Sequence, residues 1–186
     1  MERFRSNSDE MERDEKLYSE YAHQHALYKM PEKYETEQHM PVEDMVKLFD
    51  NHLLVKKNPA RKYYDKLKSS VEKCPYCQAR DIDDLDHFLP KTKFATLTII
   101  PSNLIPICHS CNRIKLSYSP YKSEQVLWHP YFDNYSGRWL HAELIHHETP
   151  YFRFYVEFKD SELAPEYEKR QMNAIEFTFN KLKLDK

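Results

Sequence analysis

The chain has 186 residues, with 28 Lys or Arg against 30 Asp or Glu, and its single glycine is Gly137. A Walker A loop needs two glycines and a dinucleotide-binding loop needs three, because only glycine lets the backbone approach a phosphate closely. A single glycine therefore excludes both kinds of loop. The charged amino terminus and the lack of any apolar run near about 18 residues predict a cytoplasmic protein without a membrane partner.

Three helices are predicted in the first 72 residues, at 8–30, 41–55 and 59–71. Pro31 ends the first helix, and Asn58-Pro59 separates the other two. This helical appendage carries no motif that names a chemistry. It could dock a partner, extend a nucleic-acid surface or cover the core.

The rest of the chain is predicted to mix strands and helices. Residues 85–90 and the β-branched run 94–100 have strand composition, and a helix is predicted over 108–116. Further on, strands are predicted at 138–147 and 151–159 and a helix at 164–180, with core roles for Trp128, Trp139, Phe152 and Tyr155. The predicted fold class is therefore α+β, divided into a helical appendage (1–72), a central motif-bearing part (73–122) and a hairpin-and-helix extension (123–186).

Four cysteines form two C-x-x-C pairs, Cys74 with Cys77 and Cys108 with Cys111, hereafter the two knuckles. In a cytosolic chain the thiols stay reduced, and two such knuckles supply four thiolates for a tetrahedral Zn²⁺. The 30 residues between the knuckles exceed the roughly 15 to 20 of a compact zinc ribbon, so an insert is predicted there. Because glycine is lacking, a residue such as Gln78 or Ser110 must bear the knuckle turn.

The insert holds charged and amide side chains suited to phosphate chemistry. Residues 87–123 contain five Lys or Arg and no acidic residue, whereas four Asp residues cluster at 81–86. Such a juxtaposition would place a cation beside a phosphate backbone, although ordinary solvated charge is the alternative interpretation. Asp86 and Asn112 offer the hard oxygen ligands that Mg²⁺ or Mn²⁺ prefers.

His87 is the candidate general base, since its ordinary pKa lies near neutrality. Neighbouring residues on a flat strand point to opposite faces, so Asp86 and His87 can share a site only at a strand end or a bulge. A distortion of that kind is predicted. His129 and Asp133 are candidates for a second tier of the same site.

The order C-x-x-C, Asp86-His87, Asn103, C-x-x-C, Asn112 and Lys115 resembles the HNH endonucleases with their ββα-metal fold. The resemblance implies a structural zinc on the four cysteines and a catalytic Mg²⁺ or Mn²⁺ held by Asp86 and Asn112. It implies that His87 activates water and that Asn103 braces the loop that carries His87. Lys115, Arg113 and Lys91 are the predicted phosphate contacts.

The expected function is thus hydrolysis of nucleic-acid phosphodiester bonds, with DNA as the expected substrate in preference to RNA. A second resemblance, in residues 85–91 and 129–133, is to small HNH effectors of anti-phage systems that act with an ATPase partner, for which the helical appendage would be the docking site. The rival interpretation is a zinc-stabilised nucleic-acid or protein adaptor without catalysis. An adaptor has no need for a carboxylate, an imidazole and an amide at positions 86, 87 and 112.

Overall fold

The computed structural model describes residues 7–158 and 165–185, and its architecture is α+β, which confirms the predicted class. The helices described are α1 (Ser8–His23), α2 (Val42–Leu48), α3 (Arg61–Lys68), α4 (His109–Lys115) and α5 (Glu166–Lys181). The strands are β1 (Asp84–His87), β2 (Leu104–Ile107), β3 (Leu140–Ile145) and β4 (Tyr151–Val156). In the described residues no helix is long and apolar enough to cross a bilayer.

The helices of the appendage are shorter than predicted. α1 ends at His23 instead of residue 30, because His25 has a left-handed backbone (φ 53°) that a helix cannot accommodate. A short 3₁₀ turn, Leu27–Lys29, follows it. α2 begins after Pro41 and continues into a π-helical turn, Phe49–Leu53, which brings this part of the chain against the centre of the molecule.

The predicted strand at 94–100 is wrong. This stretch contains a 3₁₀ turn, Ala95–Leu97, and the strand that pairs with β1 is β2, ten residues further along. Residues 94–98 are buried on all sides, so their β-branched composition reflects burial and not strand geometry. β1 and β2 run antiparallel and α4 follows directly, which gives a ββα unit between residues 84 and 115.

One core cluster joins the three segments of the chain. It contains Tyr18 and Leu27 from the amino-terminal part, Phe88 and Ile107 from the centre, and Leu182 near the carboxyl end. A second cluster packs Phe49 and Tyr64 against Leu85 and Leu104, so that the appendage covers one face of the β1–β2 pair.

The β3–β4 hairpin pairs in the register Leu140↔Val156 to Ile145↔Tyr151. The core role predicted for Phe152 is wrong, because its side chain is 62% exposed. Trp128, Trp139 and Tyr155 are partly buried.

Candidate active site and zinc site

The two knuckles meet at the start of the ββα unit. Gln78, one of the two positions predicted, bears the first knuckle turn with φ 54°. Its backbone N–H donates to the Cys74 carbonyl at 2.8 Å. Cys108 caps the amino end of α4, where its sulfur accepts from the backbone N–H of Cys111.

The four sulfur atoms have the spacing of a zinc site. All lie within 4.8 Å of one another, and the sulfurs of Cys77 and Cys108 are 3.8 Å apart. A tetrahedron with Zn–S bonds of about 2.3 Å has edges of about 3.8 Å, so the thiols fit Zn²⁺. The hydrogen bond with Cys111 lowers the pKa of the Cys74 thiol to about 5 and raises the pKa of Cys111. Ionising all four thiols therefore calls for a nearby cation.

A cavity of about 420 Å³ opens beside the ββα unit. Its lining includes Asp86, His87, Lys91, His109, Asn112 and Arg113. β1 supplies the carboxylate and the imidazole, and α4 supplies the amide and the guanidinium. The ββα arrangement therefore brings together residues that lie 26 positions apart in the sequence.

His87 is the last residue of β1, and its ring is almost fully buried. Nε2 lies 2.7 Å from the carbonyl oxygen of Thr98. Because a carbonyl can only accept, Nε2 carries the proton and Nδ1 keeps the lone pair that a base needs. Burial lowers the pKa of His87 to about 3, so the ring is neutral at pH 7.

The β1–β2 register is regular through Asp86↔Ile105 and His87↔Leu104, without a bulge. Asp86 and His87 nevertheless line the same cavity, because β1 ends at His87. The strand-end form of the predicted distortion is therefore the one observed.

Asn103 ties together the two loops around His87. Its Oδ1 accepts from the Leu89 N–H at 2.8 Å, and its Nδ2 donates to the carbonyls of Leu89 (3.0 Å) and Leu97 (3.2 Å). The first loop follows His87 and the second leads to Thr98, whose carbonyl holds the imidazole. These are the contacts of a bracing residue, and Asn103 itself is fully buried.

Residues 74–117 match the family model described as HNH endonuclease. This part of the chain is an HNH domain. It comprises both knuckles, β1, β2 and α4.

One relative is protein ea31 of Escherichia phage lambda, which is 36% identical over 118 residues. The match covers 60% of this chain but only 40% of the phage protein, so the chain spans less than half the length of that relative. No solved structure matches the chain significantly.

Lys115 of the HNH domain is not placed for the predicted phosphate contact. Its side chain is 1% exposed, and its ammonium lies 2.7 Å from Oδ2 of Asp86 and donates to the His87 carbonyl at 2.7 Å. Burial lowers the pKa of Lys115, and the Asp86 carboxylate opposes that shift. Asp86 keeps 18% of its side chain exposed. The Lys115 ammonium thus contacts the Asp86 carboxylate from the buried side and does not line the cavity.

Sequence reasoning missed two neighbours of the HNH site. His109 is exposed in the cavity wall, and its position between the second-knuckle cysteines was a signal that could have found it. Phe49 packs its ring against His87 at 4.7 Å between centroids. Nothing in the sequence around Phe49 marks it, since the contact depends on how the appendage folds back.

His129 and Asp133 lie outside the cavity lining. His129 Nε2 is 2.8 Å from the Tyr18 hydroxyl, and Asp133 accepts from the His129 N–H at 2.6 Å. The other Asp133 oxygen is 3.2 Å from Nε2 of His25. These groups therefore form a separate buried cluster that links α1 to the segment after residue 126.

Proposed function

We propose that this protein is a metal-dependent endonuclease that hydrolyses phosphodiester bonds, with DNA as the expected substrate. The observation that carries the proposal is the meeting of Asp86, His87 and Asn112 at one cavity of an HNH domain. A bare adaptor would not need a neutral imidazole whose protonated nitrogen is fixed by a carbonyl. The adaptor interpretation is therefore the weaker of the two.

His87 is the proposed general base. With Nε2 engaged by Thr98, its Nδ1 takes a proton from the attacking water. General-base action of this kind contributes about 10² to 10⁴ in rate. Phe49 and the Asn103-braced loops hold the ring in place, which limits the reorganisation needed during the reaction.

Asp86 and Asn112 are the proposed ligands of Mg²⁺ or Mn²⁺. A carboxylate and an amide oxygen, with the cavity open to water and phosphate, are a suitable donor set for such an ion. When bound, the ion would stabilise the negative charge that grows on the phosphate and the leaving oxygen. Lys115 acts as a positioning residue, because its buried ammonium pairs with the Asp86 carboxylate and orients it.

Arg113 and Lys91 are the proposed phosphate contacts at the cavity. Arg113 is exposed, whereas Lys91 pairs with Asp50 at 2.9 Å and would have to exchange that partner for a phosphate. The expected products carry a 5′-phosphate and a 3′-hydroxyl, as the HNH resemblance implies.

The proposal includes a role in anti-phage defence with an ATPase partner. It is supported by the resemblance of residues 85–91 and 129–133 to small HNH effectors of anti-phage systems. The lambda relative shows that similar chains also occur in a phage. Expression of the chain with and without a candidate ATPase partner, followed by phage plaque counts, tests this role. Equal plaque counts under both conditions would contradict it.

The nuclease proposal is tested by incubating purified protein with supercoiled plasmid, linear duplex, single strands and RNA in Mg²⁺, Mn²⁺ or EDTA. We expect cleavage of DNA that EDTA abolishes. The variant Asn112→Ala removes one proposed ligand from a partly exposed position, and we expect it to raise the Mg²⁺ concentration for half-maximal cleavage about tenfold or more. Cleavage that is indifferent to EDTA would contradict the metal role.

A further inference from the structure

The most basic segment of the chain lies outside the HNH domain, at residues 56–73. It contains seven Lys or Arg residues against two acidic ones, in a protein whose net charge is −2. Four of these cations are exposed and form no ion pair within the part of the chain that the structure describes. They are Lys56, Lys57, Lys62 and Lys66, and we call them the α3 surface.

The basic stretch inside the HNH domain has far fewer free cations. Lys91 pairs with Asp50, Lys93 pairs with Glu32, and Lys115 pairs with Asp86. Of the five cations between residues 87 and 123, this leaves Arg113 and Lys122 exposed and without an ion pair among the described residues. Two cations cannot neutralise a phosphate backbone that extends on both sides of a scissile bond.

α3 packs directly on the strand that carries the site. The Tyr64 hydroxyl accepts from the backbone N–H of Leu85 at 3.2 Å, and Leu85 precedes Asp86. At the carboxyl end of α3, the Lys68 ammonium donates to the Asp83 carbonyl. Two other cations of α3, Lys62 and Lys66, lie on its opposite, exposed side. Lys62 and Lys66 are one turn apart, about 6 Å along the helix.

We propose that the α3 surface binds the phosphate backbone of the nucleic acid beyond the scissile bond. The inference rests on the proposed function, because the nucleic acid must first occupy the neighbouring HNH cavity. The four ammonium groups contact phosphates and no bases, so they fix the register of the substrate without selecting its sequence. An anionic membrane is the other polyanion that these lysines could bind. Nucleic acid is favoured because α3 packs against β1, the strand that carries Asp86 and His87.

The test uses the full chain with His87→Ala, so that bound DNA is not cleaved, and a fluorescent 30-base-pair duplex in buffer without added Mg²⁺ or Mn²⁺. The variant Lys56→Gln, Lys57→Gln, Lys62→Gln, Lys66→Gln removes the α3 surface. Its matched control is Lys16→Gln, Lys29→Gln, Arg138→Gln, Lys183→Gln, which changes four exposed cations elsewhere and gives the same net charge.

We expect the α3 variant to bind the duplex at least tenfold more weakly at about 100 mM salt. Each phosphate contact adds about 0.9 to the salt slope, so loss of four contacts should lower the slope by about 3.6, whereas the control should change both quantities much less. Equal losses in the two variants would mean that net charge alone matters, and would overturn the proposal. Loss of binding to phosphatidylserine-containing vesicles with unchanged binding to the duplex would overturn it in favour of a membrane.

A cleavage assay distinguishes failure of this inference from failure of the nuclease proposal. With His87 intact, we expect the α3 variant to cleave a 30-base-pair duplex more slowly than the control does, and the difference to shrink as the duplex is shortened. α3-dependent binding by a chain that never cleaves would support the inference and contradict the nuclease. Cleavage and binding that both ignore the α3 substitutions would contradict the inference alone.

Discussion

His87 and His129 share two physical properties and differ in their surroundings. Both rings are buried, and burial lowers the pKa of each to about 3. His87 lines a cavity with a carboxylate, an amide and a guanidinium, whereas His129 is enclosed by Tyr18, Phe88 and Phe132. A shifted pKa therefore does not by itself distinguish a catalytic histidine from a structural one, and access to a reacting group does.

The two histidines also differ in whether a ring nitrogen is left free. His87 donates to a carbonyl and keeps Nδ1 as a base. In His129, Nδ1 accepts from the Tyr131 N–H, so Nε2 carries the proton and points to the Tyr18 hydroxyl. Both nitrogens of His129 are thus satisfied within the fold. Substitutions in the reactive region around His87 and the structural region around His129 should therefore have different effects.

The largest effect is expected from the zinc site that both regions depend on. Cys74→Ser removes one of four ligands, and because the binding energy of structural zinc is folding energy, we expect loss of zinc and of the cooperative thermal transition. Metal content and circular dichroism measure both. Ser110→Ala, in the other knuckle but without a ligand, is the control and should keep zinc and fold; a fully folded Cys74→Ser chain without zinc would show that the knuckles are not structural.

A smaller loss is expected in the structural region. His129→Ala removes a buried ring and its bond to Tyr18, which should lower the free energy of unfolding by about 3 kcal/mol. Denaturant titration measures the loss. Cleavage per folded molecule should be unchanged, and a cleavage defect without a stability defect would place His129 in the mechanism.

The smallest effect, counted per pH unit, concerns Asp133. Burial raises the pKa of its carboxyl to about 7, so between about pH 4 and 7 the folded state holds a proton that the unfolded state has lost. Its contribution to stability is complete below pH 4 and is lost as the pH rises, by about 1.4 kcal/mol per pH unit at most. Asp133→Asn should flatten the dependence of unfolding free energy on pH over this window. An unchanged pH profile would mean that Asp133 is ionised in the folded protein.

The sequence predicted the parts whose signal is local. The spacing of the sequence predicts the knuckles and the helix that carries Asn112, and Gln78, one of two candidates for a knuckle turn, has the positive φ that such a turn needs. The strand predicted at 94–100 failed because a stretch that is buried all round has the same composition as a strand. Contacts between distant segments, such as Phe49 on His87 and Lys115 behind Asp86, leave no local signal because they form only when the chain folds.

The most direct test of the account compares two substitutions in one plasmid assay with Mg²⁺. His87→Ala should keep the fold and the zinc but lower the cleavage rate per folded molecule by about 10² to 10⁴, the usual contribution of a general base. His129→Ala, which removes an equally buried histidine, should keep the wild-type rate per folded molecule. Wild-type cleavage by His87→Ala would contradict the central claim that His87 at the HNH cavity activates the attacking water.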